Sequence, residues 1–557
     1  MARLTTELTT DFSVGMVDSA APTAFPRQSC ASLVNARIQP DATLQRRPGS
    51  IKLHEVALTA ATGYGGSRFT RADGEEQLFV VFGAEAFYTD DFGVTWSDAL
   101  ADDLREGYWS WATMRVGSTN YLFGANGGDI IRWDGTTLDT LPNAPNGMRY
   151  IAVFNGRLWG TGHSGNLVQA SAIADPTLWT SPDGLTVQVI THSGDTPTGL
   201  FQVGPHLLVF DRHATSYIDG FGEQTIIIAA GPTGFSRSVG CVGFRTIAGV
   251  GDNGVAWMSE RGIEYYAPNV GIILLSAQIQ GFLNSLDWTE LYMAPERMSA
   301  AYDDITQNYY LALSAFGAQN NRVLVLNIQQ NAQYQRPGPR AAASVDQLRS
   351  PTGGDVLMGS DDGTYLSEMP VGSEADTDAE GYLKLVSEGG VVLADDADGY
   401  LTTTTNNALP GTLFVAASAV TSTCLYSLGY DGFVRRHADV DADDMEFDGT
   451  GGTPVTMSIV SRPFLMGRAR QRKRVRAVHV SIVHEDPTTV LVAVRGGGTQ
   501  RAQHALSFAA TALAQSRRKQ MMTNLVADEP QVEVYVTSDA KVSLIGVSAE
   551  LLRERVA

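Results

Sequence analysis

Cysteine is almost missing from this chain. The three present in 557 residues, Cys30, Cys241 and Cys424, are widely separated and odd in number. They exclude a disulfide framework and a usual zinc site, and read as small buried hydrophobes of a protein made in a reducing compartment. Long apolar runs are missing too: the longest, around Val270 to Ile279, falls far short of the roughly 20 residues that span a bilayer. Met1-Ala2-Arg3-Leu4-Thr5 opens into polar, Thr-rich sequence without an apolar h-region, so no secretory signal is expected. Walker A, H-E-x-x-H, G-x-S-x-G and Cys-x-x-Cys motifs are all absent. The nine histidines show no i, i+4 pairing. Gly496-Gly497-Gly498 lacks the Lys-Ser/Thr of a phosphate loop and reads as a hairpin turn. The expectation is a non-enzyme with no catalytic residue, cofactor or metal.

What the chain has instead is a recurring module, a short apolar strand, a Gly/Asn/Asp turn and a second strand ending in an aromatic residue. Leu78 to Gly83 leads to Ala86-Phe87-Tyr88. Tyr121 to Gly124 passes through Asn126-Gly127-Gly128 to Ile130-Ile131-Arg132-Trp133. Tyr150 to Phe154 turns at Asn155-Gly156 into Leu158-Trp159, and Val255-Ala256-Trp257 precedes Gly262-Ile263-Glu264-Tyr265-Tyr266. Asn-Gly, Asp-Gly and Gly-Gly accept the positive φ of tight hairpins. Modules beginning at Phe79, Tyr121, Ile151, Leu207, Thr246, Tyr309 and Val356 scatter around the roughly 40 to 50 residues of a four-stranded propeller blade. The fold class expected is all-β, with a β-propeller of about six to eight blades over residues 55–370; a pair of β-sandwiches is the alternative. An N-terminal extended arm (1–54) precedes it. A small acidic β-rich domain (371–455) and a C-terminal β-sandwich (456–557) follow.

Charge is unevenly spread beneath the total of −20. Residues 371–450 hold fifteen Asp/Glu against three Lys/Arg, whereas residues 461–557 hold fifteen Lys/Arg against eight Asp/Glu. A net acidic protein is a poor general DNA binder, because phosphate affinity comes from Lys and Arg; an acidic wall can still conduct DNA without gripping it. In the acidic stretch Asp378 to Leu383 and Asp396 to Leu401 are a small duplication. Its Asp clusters, with Asp441, Asp443, Asp444, Glu446 and Asp448, lack the spacing of a Ca²⁺ loop and read as a solvated surface. Residues 505–522 read equally as a helix or a strand pair.

The densest basic run is Arg468, Arg470, Arg472, Lys473, Arg474 and Arg476. In extended backbone the five arginines share one face. That face suits docking on an acidic neighbour; the alternatives are DNA contact and a solvated edge strand whose charge discourages aggregation.

Two segments carry family resemblances. Thr89-Asp90-Asp91-Phe92-Gly93-Val94-Thr95-Trp96 resembles the Asp-box hairpin of sialidases and other propellers, and Ser181 to Thr186 is a degenerate echo. The resemblance implies structural roles for Asp91, Gly93, Thr95 and Trp96. Gly15, Pro26, Leu33-Val34-Asn35-Ala36-Arg37-Ile38 and Leu44-Gln45-Arg46-Arg47-Pro48-Gly49, with Ala174 to Trp179, resemble the tail nozzle proteins of short-tailed bacteriophages, also called tail tubular protein B or packaged-DNA stabilisation proteins.

This second resemblance implies a structural virion protein, made in the host cytoplasm and located in the tail. It would form a homohexameric ring below an adaptor protein, carry fibre, spike or needle proteins, and retain and then pass double-stranded DNA during ejection. Arg37, Arg46 and Arg47 would lie on an extended strand added to a neighbouring sheet, or pair locally. Two other classes stand beside it, an Asp-box glycosidase of sialidase type and a monomeric host-binding propeller. Sialidase chemistry needs paired carboxylates or a Tyr nucleophile. Glu264-Tyr265-Tyr266 is the nearest candidate, and adjacent strand residues point to opposite faces, which favours core packing.

Overall fold

Hairpins form where the turn dipeptides stand. Asn155 and Gly156 both take positive φ, 49° and 67°, the left-handed pair that a two-residue turn requires, and they join Tyr150–Phe154 to Arg157–Thr161 in antiparallel register. The computed structural model describes residues 4–21, 24–39, 41–100, 104–189, 195–220, 226–228, 236, 238–251, 253–268, 270–315, 319–329, 340–347, 375–377, 383–385, 410–416, 424–437, 443–444, 453–465, 472–484, 487–496, 500–509, 515–537 and 542–553.

Among these residues, five four-stranded antiparallel sheets follow in chain order. The first is Gly63–Thr70, Glu76–Phe82, Glu85–Thr89 and Ser97–Leu100; the second Ser110–Val116, Thr119–Ala125, Ile131–Trp133 and Leu138–Thr140. The third is Tyr150–Phe154, Arg157–Thr161, Leu167–Ala170 and Leu185–Gln188; the fourth Gly199–Val203, His206–Phe210, Thr215–Gly220 and Ile226–Ile228. The fifth is Ala248–Val250, Gly254–Ser259, Gly262–Ala267 and Gly271–Leu274. A sixth set, Ser299–Asp303, Asn308–Leu313, Arg322–Gln329 and Arg340–Gln347, is antiparallel in the same way but continues into a ten-stranded sheet. In the seventh, Pro410–Ala416, Cys424–Gly429 and Val434–His437 take their fourth strand, Ser50–Lys52, from the other end of the chain.

From the first sheet to the sixth, each buries a face on the next. Phe79 and Val81 of the first pack with Leu122, Ile131 and Trp133 of the second. Phe123 and Ala125 then pack with Ile151 and Leu158, and Phe154, Trp159 and Val168 with Leu207, Val209 and Ile218. Leu208 and Phe210 meet Val255 and Trp257, and Met258, Ile263 and Tyr265 meet Tyr309, Leu311 and Leu324. Ser299–Asp303 runs beside Pro410–Ala416. Finally Tyr426, Leu428 and Val434 of the seventh sheet pack on Leu78, Val80 and Phe82 of the first. The approach there is tight: a Cβ on Gly63 would fall 2.3 Å from Cβ of Leu428.

Residues expected in a separate arm pair within the chain. Leu4–Thr9 and Leu44–Arg46 lie on Ser543–Arg553, and Ser29–Val34 lies between Met457–Ser461 and the parallel Gly15–Met16. Together with the C-terminal strands they make two sheets. One runs from Arg340–Gln347 through Gly15–Met16, Ser29–Val34, Met457–Ser461, Gln531–Thr537 and Thr488–Gly496 to Gln500–Phe508. The other is Ala36–Ile38, Leu44–Arg46, Ser543–Arg553, Lys473–His484 and Gln515–Met522. Leu33, Ile459, Val492 and Val534 of one share a core with Val480, Ile482, Leu544 and Leu551 of the other. The C-terminal sandwich is therefore knit from both chain ends. Residues 505–522, left open between helix and strands, contain the end of one strand and the whole of another, in opposite sheets.

The expected acidic domain divides. Pro410–Ala416, Cys424–Gly429 and Val434–His437 belong to the seventh sheet. Residues 348–409 form a separate compact unit, in which Ala375–Thr377 pairs antiparallel with Leu383–Leu385. Most of the Asp378/Asp396 duplication, and Asp441, Glu446 and Asp448, lie outside the described residues.

Trp159 is 1% exposed between the third and fourth sheets. Trp159→Ala should cost about 3–5 kcal/mol, while Leu178→Ala, at a side chain 42% exposed, should stay within about 0.5 kcal/mol. Urea unfolding of the two variants measures both.

Candidate functional site

The Asp-box segment is a turn whose polar groups are used internally. Asp91 accepts from the Thr89 hydroxyl at 2.6 Å, from the Thr95 backbone N–H at 2.9 Å and from the Thr95 hydroxyl at 2.6 Å. Gly93 takes φ +99° and packs on Leu53, and the Trp96 indole donates to the Gly93 carbonyl at 3.1 Å. Partial burial opposes the charge of Asp91, but the hydrogen bonds from Thr89 and Thr95 outweigh it and hold the carboxyl below its ordinary value. Asp175-Pro176-Thr177-Leu178-Trp179 repeats the arrangement: Asp175 accepts from the Thr177 N–H and hydroxyl, and the Trp179 indole donates to the Pro176 carbonyl at 2.6 Å.

Glu264, Tyr265 and Tyr266 lie on one inner strand. Tyr265 faces the core shared with the sixth sheet and Tyr266 the core shared with the fourth. The Glu264 carboxylate is fully buried and held by the Ser259 hydroxyl at 3.0 Å and Arg261 at 2.9 Å. This arrangement makes Glu264 a structural anchor for Arg261.

The basic residues divide by burial. Arg46, Arg47 and Lys473, expected at a subunit contact, are each no more than 3% exposed. Arg46 donates to the Val455 carbonyl at 3.2 Å and Arg47 to Asn35 Oδ1 at 3.1 Å. Lys473 donates to the Asp528 carbonyl. They fasten the N-terminal segment and the sandwich, which corrects their assignment to an intersubunit surface. Arg37 is half-buried over the Tyr310 ring at 5.7 Å. Arg472 and Arg476 are exposed and Arg474 half-buried, alternating with buried Lys473, Val475 and Ala477. Arg468 and Arg470 lie outside the described residues.

Three basic residues went unnoticed in the sequence: Arg517, Arg518 and Lys519, all exposed on Gln515–Met522. This strand ends its sheet and pairs with the strand that begins at Lys473, Arg518 opposite Ser481 and Lys519 opposite Val480. Lys519 lies over the Phe508 ring at 5.2 Å and donates to the Ser507 carbonyl of the facing sheet. Among the described residues, Arg472, Arg476, Arg517, Arg518 and Lys519 form no ion pair with a carboxylate. The edge strand and the start of the inner strand beside it thus carry exposed basic side chains. The signal, the Arg-Arg-Lys tripeptide, became readable only with its strand assignment.

A second cluster gathers where the first strands of several sheets begin. Arg245 lies over the Tyr108 ring at 4.4 Å and donates to the Glu296 carbonyl at 2.8 Å. Tyr64 meets Tyr108 edge-on at 5.1 Å, and the Tyr430 hydroxyl accepts from Asn320 N–H at 3.3 Å. Desolvation pulls the Arg245 guanidinium down to about 10, with Tyr108 and Tyr430 acting against it. Burial likewise raises Tyr108 and Tyr430. These are packed aromatic and cationic side chains. Among the described residues no group of three or more His, Cys, Asp or Glu is placed to hold a metal.

No family model matches the chain, and no curated protein matches it. Among solved structures it is similar to a chain of the mitotic checkpoint complex, with 10% identity and a TM-score of 0.38, over 71% of this chain and 93% of that one. It is similar to BBS1N, crystallised in complex with ARL6DN, with 12% identity and a TM-score of 0.37, over 70% and 98%. The N-terminal domain of Nup159 matches with 9% identity and a TM-score of 0.28, over 70% and 95%.

Asp91→Ala should cost about 1–2 kcal/mol, since it unmakes hydrogen bonds to a charged acceptor. Because the folded carboxyl titrates below its unfolded value, its contribution is complete above roughly pH 4 and is lost as pH falls through the folded value. Asp91→Asn should therefore lose less stability than the parent between pH 5 and 3, as measured by urea midpoints.

Proposed function

We propose that the seven sheets form a closed seven-bladed β-propeller, and that the chain is a non-enzymatic structural subunit of a short-tailed phage tail, assembling with its own copies into a nozzle ring. The propeller is supported by the chain-order packing of four-stranded sheets, the last of which shares a core with the first. The resemblance of residues 33–49 to nozzle proteins supports the setting.

The observation that carries the assembly reading is the set of exposed basic residues on the sandwich, Arg472, Arg476, Arg517, Arg518 and Lys519, on a chain with a net charge of −20. Such a surface finds complementary charge on another copy or on an acidic adaptor, and steers docking more than it stabilises folding. The Tyr/Arg cluster at the strand starts fills one end of the propeller. In this reading DNA passes through the opening between subunits, along acidic walls that do not hold it.

Mass photometry and electron cryomicroscopy of the full chain, alone and with its adaptor, should find closed rings of six copies. A chain that stays monomeric under both conditions contradicts the proposal, as does turnover of a fluorogenic glycoside panel. Changing Arg472, Arg476, Arg517 and Arg518 to Glu should abolish ring formation while altering unfolding free energy by no more than about 0.5 kcal/mol per site.

A further inference from the structure

The join between the chain's N-terminal segment and the seventh sheet holds a buried titratable ring, His54, whose two nitrogens are both committed. Ser50–Lys52 pairs antiparallel with Val434–His437, Arg435 opposite Lys52 and Arg436 opposite Ile51. The Leu53 N–H donates to the Val434 carbonyl at 3.0 Å and the Leu58 N–H to the Gly432 carbonyl at 3.1 Å. Between these bonds stands His54, 8% exposed. The Val434 backbone N–H donates to its Nε2 at 3.0 Å, while its Nδ1 lies 2.7 Å from the Val56 carbonyl. A backbone N–H can only donate and a carbonyl can only accept. Nε2 must therefore be bare and Nδ1 must carry the hydrogen, so this geometry holds only for neutral histidine.

The surroundings oppose a second proton. His54 stacks on Phe433 at 5.1 Å and 11°, and meets Trp96 of the Asp-box turn edge-on at 6.0 Å. Lys52 lies over the same Phe433 ring at 4.3 Å, and Arg435 at 5.7 Å. Asp431 is the nearby opposite charge, and it is engaged by Arg435 at 3.0 Å. Exposed Glu55 follows in the chain. From the Asp-box side, the Asp91 carboxylate is turned onto Thr89 and Thr95. Burial lowers the His54 titration first, with Arg435 and Lys52 adding to it against the Val56 hydrogen bond and Asp431.

We propose that His54 is an acid-sensitive latch on the seventh sheet: its protonation forces N–H against the N–H of Val434 and releases Ser50–Lys52 and the following turn from Val434–His437. The sign follows from linkage. The released form takes up a proton near the ordinary value of roughly 6.5, the latched form only at lower pH, so the latch is complete above about pH 6.5. Below that, the opening constant rises about tenfold per pH unit until His54 titrates in the latched form. Acidification thus loosens the join between the chain's first 60 residues and the seventh sheet. This inference rests on the pairing alone and stands whether or not the chain assembles into rings.

The test is deuterium uptake by the full chain between pH 7.5 and 5, corrected for intrinsic exchange, with carbon-13 NMR titration of labelled histidines. Peptides covering 50–58 and 430–437 should lose protection together as pH falls, with the peptide 150–161 unchanged. His54→Gln, which keeps an acceptor and cannot be charged, should remove that loss; His437→Gln, at the far end of the same strand pair, should leave it in place. The His54 resonance, assigned by its disappearance in His54→Gln, should titrate below 6.5. An equal loss of protection in His54→Gln and parent overturns the proposal. Should that variant be loose at every pH, the parent decides: a His54 titrating at or above 6.5, or uptake in the two peptides that does not change with pH, overturns it equally.

Discussion

The long-range pairing of residues 4–52 is the constraint on which the rest depends. Leu4–Thr9 and Leu44–Arg46 lie on a strand that starts at Ser543, Ser29–Val34 lies beside Met457–Ser461, and Ser50–Lys52 completes a sheet whose other strands begin at Pro410. Each contact joins points several hundred residues apart, so loop-closure entropy is met before any reward. Local meanders such as Tyr150 to Gln188 need no such closure. The expected order is therefore the local four-stranded sheets first and the termini last.

Once made, the pairing is secured by buried polar groups. Arg46 and Arg47 are buried and donate to the Val455 carbonyl and to Asn35; stranding either charge would cost several kcal/mol. His54 and Lys52 close on Phe433, and Leu53 enters the core between the first and seventh sheets. The basic residues thus serve two purposes. Those turned inward hold the termini, while Arg472 and Arg476 face solvent at the start of an inner strand and Arg517 and Arg518 on the edge strand beside it, where charge blocks promiscuous sheet addition.

The hairpins were legible because Asn-Gly and Asp-Gly dipeptides and alternating apolar residues act locally. The uneven module spacing had a simple origin: the marked starts from Phe79 to Tyr309 mixed first and second strands, and Val356 lies outside the described residues. Second strands begin at Glu76, Thr119, Arg157, His206, Gly254 and Asn308, 38 to 54 residues apart. The widest interval holds two short helices, Gln280–Asn284 and Trp288–Met293. The within-chain partner of Ser50-Ile51-Lys52 was not legible, because backbone hydrogen bonds carry no sequence label and three residues carry little pattern. Equally, the alternation that placed Arg472, Arg474 and Arg476 on one face could not say that Lys473 faces the core, where it meets the Asp528 carbonyl.

The within-chain closure distinguishes this account from one in which the N-terminal segment reaches a neighbouring subunit. Ile51 stands opposite Arg436 in the strand register, so a chain carrying Ile51→Cys and Arg436→Cys should, on mild oxidation, give a disulfide within single chains by denaturing mass spectrometry. Disulfides found only between chains would contradict it and assign the strand to a neighbouring copy.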